Sequence, residues 1–190
     1  MINNDDIDYG PLKPLIGAWY GNHGTDIAPE PDGEENNLYF ETITFNAAGD
    51  VTNAESQELV ALQYRQLVQR KSNGKVFHDQ SGYWMWDAAN ALVMHSFTIP
   101  RAVGVLAGGE FGGVESDGGV RLEVYASLDS ADWPIMQSPF MRDNARTTAF
   151  RQQLVVHADR LSYSQTTMVD IYGKVFEHTD DNKLVRVPPK

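Results

Sequence analysis

A tryptophan set between two glycines, Gly17-Ala18-Trp19-Tyr20-Gly21, follows directly on Pro11-Leu12-Lys13-Pro14-Leu15-Ile16. No other stretch constrains the fold of this chain as strongly. An indole gains its large apolar burial only where other structure closes over it. Glycines on either side let neighbouring backbone come close. The combination predicts the closed end of a small antiparallel barrel, with a short helical turn as stopper and Trp19 as the first inward residue. An edge strand carrying a core tryptophan is the plainer alternative.

The rest of the chain supplies strands for such a barrel. Leu38 to Phe45, Val76 to Asp87, Leu92 to Ile99, Ala102 to Leu106, Arg121 to Leu128, Thr147 to His157 and Arg160 to Ile171 are rich in β-branched and aromatic residues. Glu58 to Arg70 fits both helical and strand periods, and the Ser72-Asn73-Gly74-Lys75 turn after it favours a strand ending in a hairpin. Asn46 to Asp50 reads as a turn, as does Asp180-Asp181-Asn182 between Lys174–His178 and Lys183–Val187. Residues 22–37, with two prolines, two glycines and several carboxylates, read as an acidic loop. It would serve as a lid over the barrel mouth or as the contact of a homodimer. Residues 129–146 read as a proline-punctuated excursion with a helical turn at Pro134 to Gln137. Residues 1–10 form an N-terminal tail. At 190 residues this is one domain, all-β: a closed antiparallel barrel of about ten strands.

Charge and composition remove several classes of function. The formal net charge is -11 with no Lys/Arg cluster, which speaks against nucleic acid and against an anionic membrane surface. With no cysteine, disulfides, thiolate catalysis and cysteine-ligated metals are excluded. The acidic start Met1-Ile2-Asn3-Asn4-Asp5-Asp6 lacks the form of a signal peptide, so the cytoplasm is expected. No Walker loop, nucleophile elbow, zinc helix or EF-hand loop is present.

Five histidines are left as chemistry-bearing candidates. His157 sits beside a hairpin turn and His23 at the root of the acidic loop. His95 interrupts an apolar run as an interior histidine would. His78 precedes Asp79-Gln80, where a carboxylate or an amide can hold its tautomer. It can also form an acid–base pair with Asp79 or His95. His178, on Val175-Phe176-Glu177-His178, can face the barrel interior, and a single inward imidazole suits the axial position of a haem iron. Tyr83, Trp84, Met85 and Trp86 hold aromatic material for a pocket, of which alternation sends about half outward.

Taken in order, these segments resemble nitrobindin-like, fatty-acid-binding-protein-like (calycin-related, lipocalin-like) β-barrels. The G-x-W-x-G opening at Gly17–Gly21, the strand Phe77-His78-Asp79-Gln80-Ser81-Gly82-Tyr83-Trp84, the segment Ile99 to Gly109, and the closing Leu161-Ser162-Tyr163, His178 and Leu184-Val185-Arg186 carry the likeness. The resemblance implies a ten-stranded barrel holding haem b through a histidine near the C-terminus. His178 matches that position, with His78, Trp84 and Arg101 around the cofactor. It further implies nitrogen-oxide chemistry of the peroxynitrite isomerase kind, and Arg186 lying over Trp19 at the closed end. A metal-free carrier of an apolar or fatty-acid-like ligand is the alternative. One departure stands out. The family usually continues its opening motif into a tyrosine–proline–threonine segment, where this chain has Gly24-Thr25-Asp26-Ile27-Ala28-Pro29.

Overall fold

All but one short strand pair with their neighbours along the chain, and the last returns to the first. The computed structural model describes residues 7–188. The start of the chain, on which the expectation of a leaderless protein rests, lies outside them. A 3-10 turn over Gly10–Leu15 precedes β1 (Gly17–Glu30), β2 (Gly33–Asn53), β3 (Gln57–Arg70), β4 (Val76–Asp87), β5 (Leu92–Ile99) and β6 (Val103–Glu110). There follow β7 (Val120–Ser127), β8 (Ile135–Gln137), helix α1 (Pro139–Asn144), β9 (Ala145–His157), β10 (Arg160–Ile171) and β11 (Lys174–Arg186). All pairings are antiparallel, and β5–β6 joins the two ends of the strand order, so ten strands close into a barrel. No helix among the described residues is long and apolar enough to cross a membrane.

The strand left out of the ring, β8, repairs a weak join. β7 meets β6 at a single pair, Gly108 opposite Tyr125, while β8 lies along the start of that same edge, Val103 opposite Gln137. From β8 the Gln137 amide reaches β9: it accepts from Thr147 N at 2.9 Å and donates to Thr147 O at 3.0 Å. A side chain thus completes the ladder where β7 has ended, and backbone groups that would otherwise face the interior unpaired are satisfied. The expected helical turn at Pro134–Gln137 is therefore corrected to a strand. The helix starts just beyond it, where Ser138 Oγ accepts from Met141 N at 3.3 Å.

The closed end follows the sequence expectation. Leu12 and Leu15 of the 3-10 turn are fully buried, and Trp19 Nε1 donates to Leu15 O at 2.7 Å. The Arg186 guanidinium lies 4.2 Å from the centre of the Trp19 ring and donates to Ile16 O and Pro14 O, each at 2.6 Å. The cation thereby ties the last strand to the plug. An indole of ~200 Å² buried at about 25 cal/mol per Å² stabilises this end by roughly 5 kcal/mol.

Three expected turns are strand instead. Residues 22–37 are the far arms of β1 and β2, joined tightly at Pro31-Asp32, with Ala28 opposite Glu35. Ladder hydrogen bonds ask nothing of side-chain polarity, so a charged stretch pairs as readily as an apolar one. Pro29 is tolerated because β11 last meets β1 at Ile27, so its missing N–H faces no partner. Asn46–Asp50 is a β-bulge within β2 rather than a turn. Gly49 there has φ 96°, and its amide donates to Tyr9 Oη at 3.1 Å. Asp180-Asp181-Asn182 runs straight through β11 with no shift against β10.

Candidate functional site

A second bulge decides what faces the interior. Between Gly21 and Gly24, β1 spends three residues against two of β2. Alternation from Trp19 and Gly21 would otherwise bring His23 and Thr25 inward. The extra residue reverses the parity: His23 turns out, while Gly24 and Asp26 turn in. Gly24 is required there, because a Cβ at that position would run into the Tyr39 ring. On β11, uninterrupted alternation puts His178, Asp180, Asn182 and Leu184 on one face. The two strands thus bring Asp26, His178 and Asp180 together.

These residues line a cavity of about 370 Å³ in the end of the barrel away from the plug. Its wall is apolar along Phe97, Ile99, Val103, Val105 and Phe150. His178 Nε2 lies 2.6 Å from Asp26 Oδ1 and 3.8 Å from Asp180 Oδ2. The other Asp26 oxygen accepts from Asn37 Nδ2 at 2.8 Å, and Asp180 Oδ2 accepts from Gln165 Nε2 at 3.3 Å.

The charges follow from this packing. Burial works to raise Asp26, but hydrogen bonds from His178 and Asn37 hold its carboxyl below the usual value. Burial alone would push the His178 imidazole down; the Asp26 hydrogen bond and the charges of Asp180 and Asp26 carry it above its ordinary value. Asp180 is pushed up to about 7 by burial, against the pull of His178 and with the help of the Asp26 charge. Behind them, fully buried Glu41 is pushed up to about 7 by burial, although Gln66, Asn182 and Tyr163 all donate to it.

His78 stands on the same wall, with Nε2 3.1 Å from Gln80 Oε1. Burial lowers its pKa, so the ring is neutral. The chain continues inward: Gln80 Nε2 donates to Tyr64 Oη at 2.5 Å, and Tyr64 Oη lies 2.6 Å from His95 Nε2. Since Gln80 already donates to that oxygen, the phenol proton goes to His95. The His95 proton then sits on Nδ1, which has no partner among the described residues. Burial pushes His95 down to about 3.

The residues singled out from sequence divide as follows. His178 and His78 line the cavity, as does Arg101, which makes no ion pair among the described residues. Trp84 is not on the wall. It is buried in the packed core, stacked on His95 with centroids 4.2 Å apart and planes 11° from parallel. The His78–Asp79 pair does not form: Asp79 turns outward and accepts from Arg65 Nε at 3.0 Å and Nη2 at 2.8 Å. His78 reaches His95 only through Gln80 and Tyr64. Asp26, Asp180 and Glu41 were not among the candidates. The spacing 178/180/182 carried a readable signal for Asp180. Nothing in the sequence marks the bulge that delivers Asp26.

Fold and cavity define a closed ligand-binding β-barrel, plugged at one end and hollow at the other. The chain belongs to the THAP4-like, heme-binding beta-barrel domain family, whose pattern matches residues 8–186. Its fold is shared with the crystal structure of Rv2717c from M. tuberculosis, at 22% identity and a TM-score of 0.68, covering 95% of this chain and 100% of that one. No curated protein matches the chain.

Proposed function

We propose that this protein holds haem b in the hollow half of its barrel, where His178 would hold the iron. The single observation that carries the reading is the His178–Asp26 contact. A neutral imidazole that donates from Nε2 keeps its lone pair on Nδ1, and a carboxylate partner of this kind orients metal-bound histidines. The donor set therefore fits an iron ligated through Nδ1. The apolar wall of Phe97, Val105 and Phe150 suits a macrocycle, and the free Arg101 guanidinium can answer a propionate. Haem held by these residues would supply iron able to take up a nitrogen oxide, the peroxynitrite isomerase type of activity.

In this reading the chain's own groups have distinct tasks. Asp26 fixes the His178 tautomer. His78, kept neutral by burial and with its Nε2–H given to Gln80, presents the Nδ1 lone pair as a base within the cavity. Trp84 acts at one remove: it holds His95, which through Tyr64 and Gln80 sets the His78 ring.

A haem titration of the purified protein tests the reading. A Soret band that shifts at one equivalent, and is lost in His178→Ala, is expected. A band that is unchanged in His178→Ala, or no band at all, overturns it. A metal-free carrier is the second reading, favoured by the apolar share of the wall. Mass spectrometry that finds a retained lipid in protein giving no Soret band would support it.

A further inference from the structure

Asp26, His178 and Asp180 each offer one donor atom to a common point, all three within 4.8 Å of one another. One imidazole nitrogen and two carboxylate oxygens make a set that suits Zn²⁺ and divalent first-row ions such as Mn²⁺, Co²⁺ and Fe²⁺. Bonds of about 2.0–2.2 Å would place such donors roughly 3 to 3.5 Å apart. The observed 2.6 Å and 3.8 Å from His178 Nε2 bracket that spacing, so small side-chain shifts would complete it. Asp26 is oriented from behind, its other oxygen accepting from Asn37, as metal-binding carboxylates are, and Asp180 accepts from Gln165 on the Oδ2 that faces His178.

The charge of the cavity points the same way. Asp26, Glu30, Glu35 and Asp180 line it against the two guanidiniums of Arg70 and Arg101. Arg70 is already spent on Glu35 at 3.2 Å. The remaining Asp26, Glu30 and Asp180 then share the cavity with the Arg101 guanidinium and the His178 imidazole, a lining richer in oxygen donors than in fixed cations.

We propose that Asp26, His178 and Asp180 form a divalent-cation site, and that this cation and haem exclude one another at His178. The exclusion follows from the tautomer. A neutral imidazole has one lone pair. A cation seated among the three donors takes it at Nε2, and the Nε2 proton must then reside on Nδ1. That removes the lone pair through which haem iron would be held. The dication is balanced by the two carboxylates, and any proton that Asp180 or the imidazolium of His178 still holds is released to solvent as the cation binds. The cation site stands without haem, whereas the exclusion rests on the reading of His178 given above.

Co²⁺ added to the haem-free protein is the direct probe. A visible d–d band saturating at one equivalent and bleached by Zn²⁺ is expected. Asp180→Asn should weaken binding at least tenfold while the thermal transition stays in place. No band from folded wild-type protein overturns the site, as does a band equally strong in Asp180→Asn. Should that variant fail to fold, the wild type still decides. At one equivalent of Zn²⁺ the His178 imidazole resonances must shift before those of the other four histidines, and a different order overturns the assignment. For the exclusion, haem is titrated with and without one equivalent of Zn²⁺. A Soret titration weakened about tenfold or more supports it, and superimposable titrations overturn it. A Co²⁺ band without any Soret band removes the haem reading and leaves the cation site.

Discussion

The two halves of this barrel solve opposite problems with the same strands. At the plugged end, β1, β9, β10 and β11 bring Trp19, Leu154, Val156, Leu161 and Leu184 into an apolar core, and the Arg186 guanidinium stays partly buried over the indole. At the hollow end those strands carry Asp26, Gln165, His178 and Asp180 inward, with Glu41 buried behind them. Burial stabilises the first half. In the second, burial is a cost that hydrogen bonds offset only in part, which is why Glu41 and Asp180 both titrate near 7. Packing is spent where nothing binds, and strained charge is kept where something can.

If the halves differ in this way, Trp19→Ala should show the largest effect on stability. A loss of about 3–5 kcal/mol in denaturant unfolding is expected, with ligand binding in the hollow half unchanged per folded molecule. Equal damage to both would break the division. The acid–base behaviour should separate next. His95 is neutral in the fold down to about 3 against an ordinary 6.5, so its contribution is complete above 6.5 and lost as the pH falls through about 3. Glu41 holds its proton up to about 7 against an ordinary 4.5, so its contribution is complete below 4.5 and lost as the pH rises through 7. Stability should therefore climb up to about pH 4.5 and change little up to 6.5, where the two slopes oppose. From these two groups it should then fall toward 7, and Asp180, raised from 3.8 to about 7, adds a fall of its own spread over that whole interval. The Glu41 limb is worth on the order of 3 kcal/mol, from 1.36 kcal/mol per pKa unit. Unfolding free energies measured across pH in wild type and Glu41→Gln check this, since the variant should lose the Glu41 share of the fall and keep that of Asp180.

Smaller effects sharpen the contrast. Arg186→Met removes two charged hydrogen bonds to the plug carbonyls and should cost about 1.5–3 kcal/mol, read as a lower unfolding midpoint. Glu35→Gln, at the mouth of the hollow half, breaks a half-exposed pair with Arg70. It should change stability by less than about 1 kcal/mol.

The plugged half was legible because apolar alternation and an indole between glycines leave few places for Trp19 other than a closed end. β4, β5 and β10 begin and end at the residues expected from their punctuation, Ser72–Lys75, Ala88–Asn90, Pro100 and Ala158-Asp159. The hollow half misled for the same reason in reverse. A rule that sends polar residues to loops reads Asp26, Glu34 and Asp180 as loop or turn, although backbone pairing is indifferent to their charge. His178 was legible as an inward residue and lines the cavity. Trp84 was legible as inward too, but inward at its level of the barrel means core.

By itself, then, the sequence determined the closed barrel and its plug, because each follows from local pattern: period-two alternation, turn chemistry and the size of an indole. The Arg186–Trp19 contact came from the family resemblance, and an inward His178 was one of two facings that strand parity allowed. Tertiary structure alone decided which carboxylates meet that imidazole. One additional residue in β1 exchanges the faces of everything beyond it, and a parity change of that kind is set by pairing with β2 and β11, strands whose register no local stretch of β1 encodes.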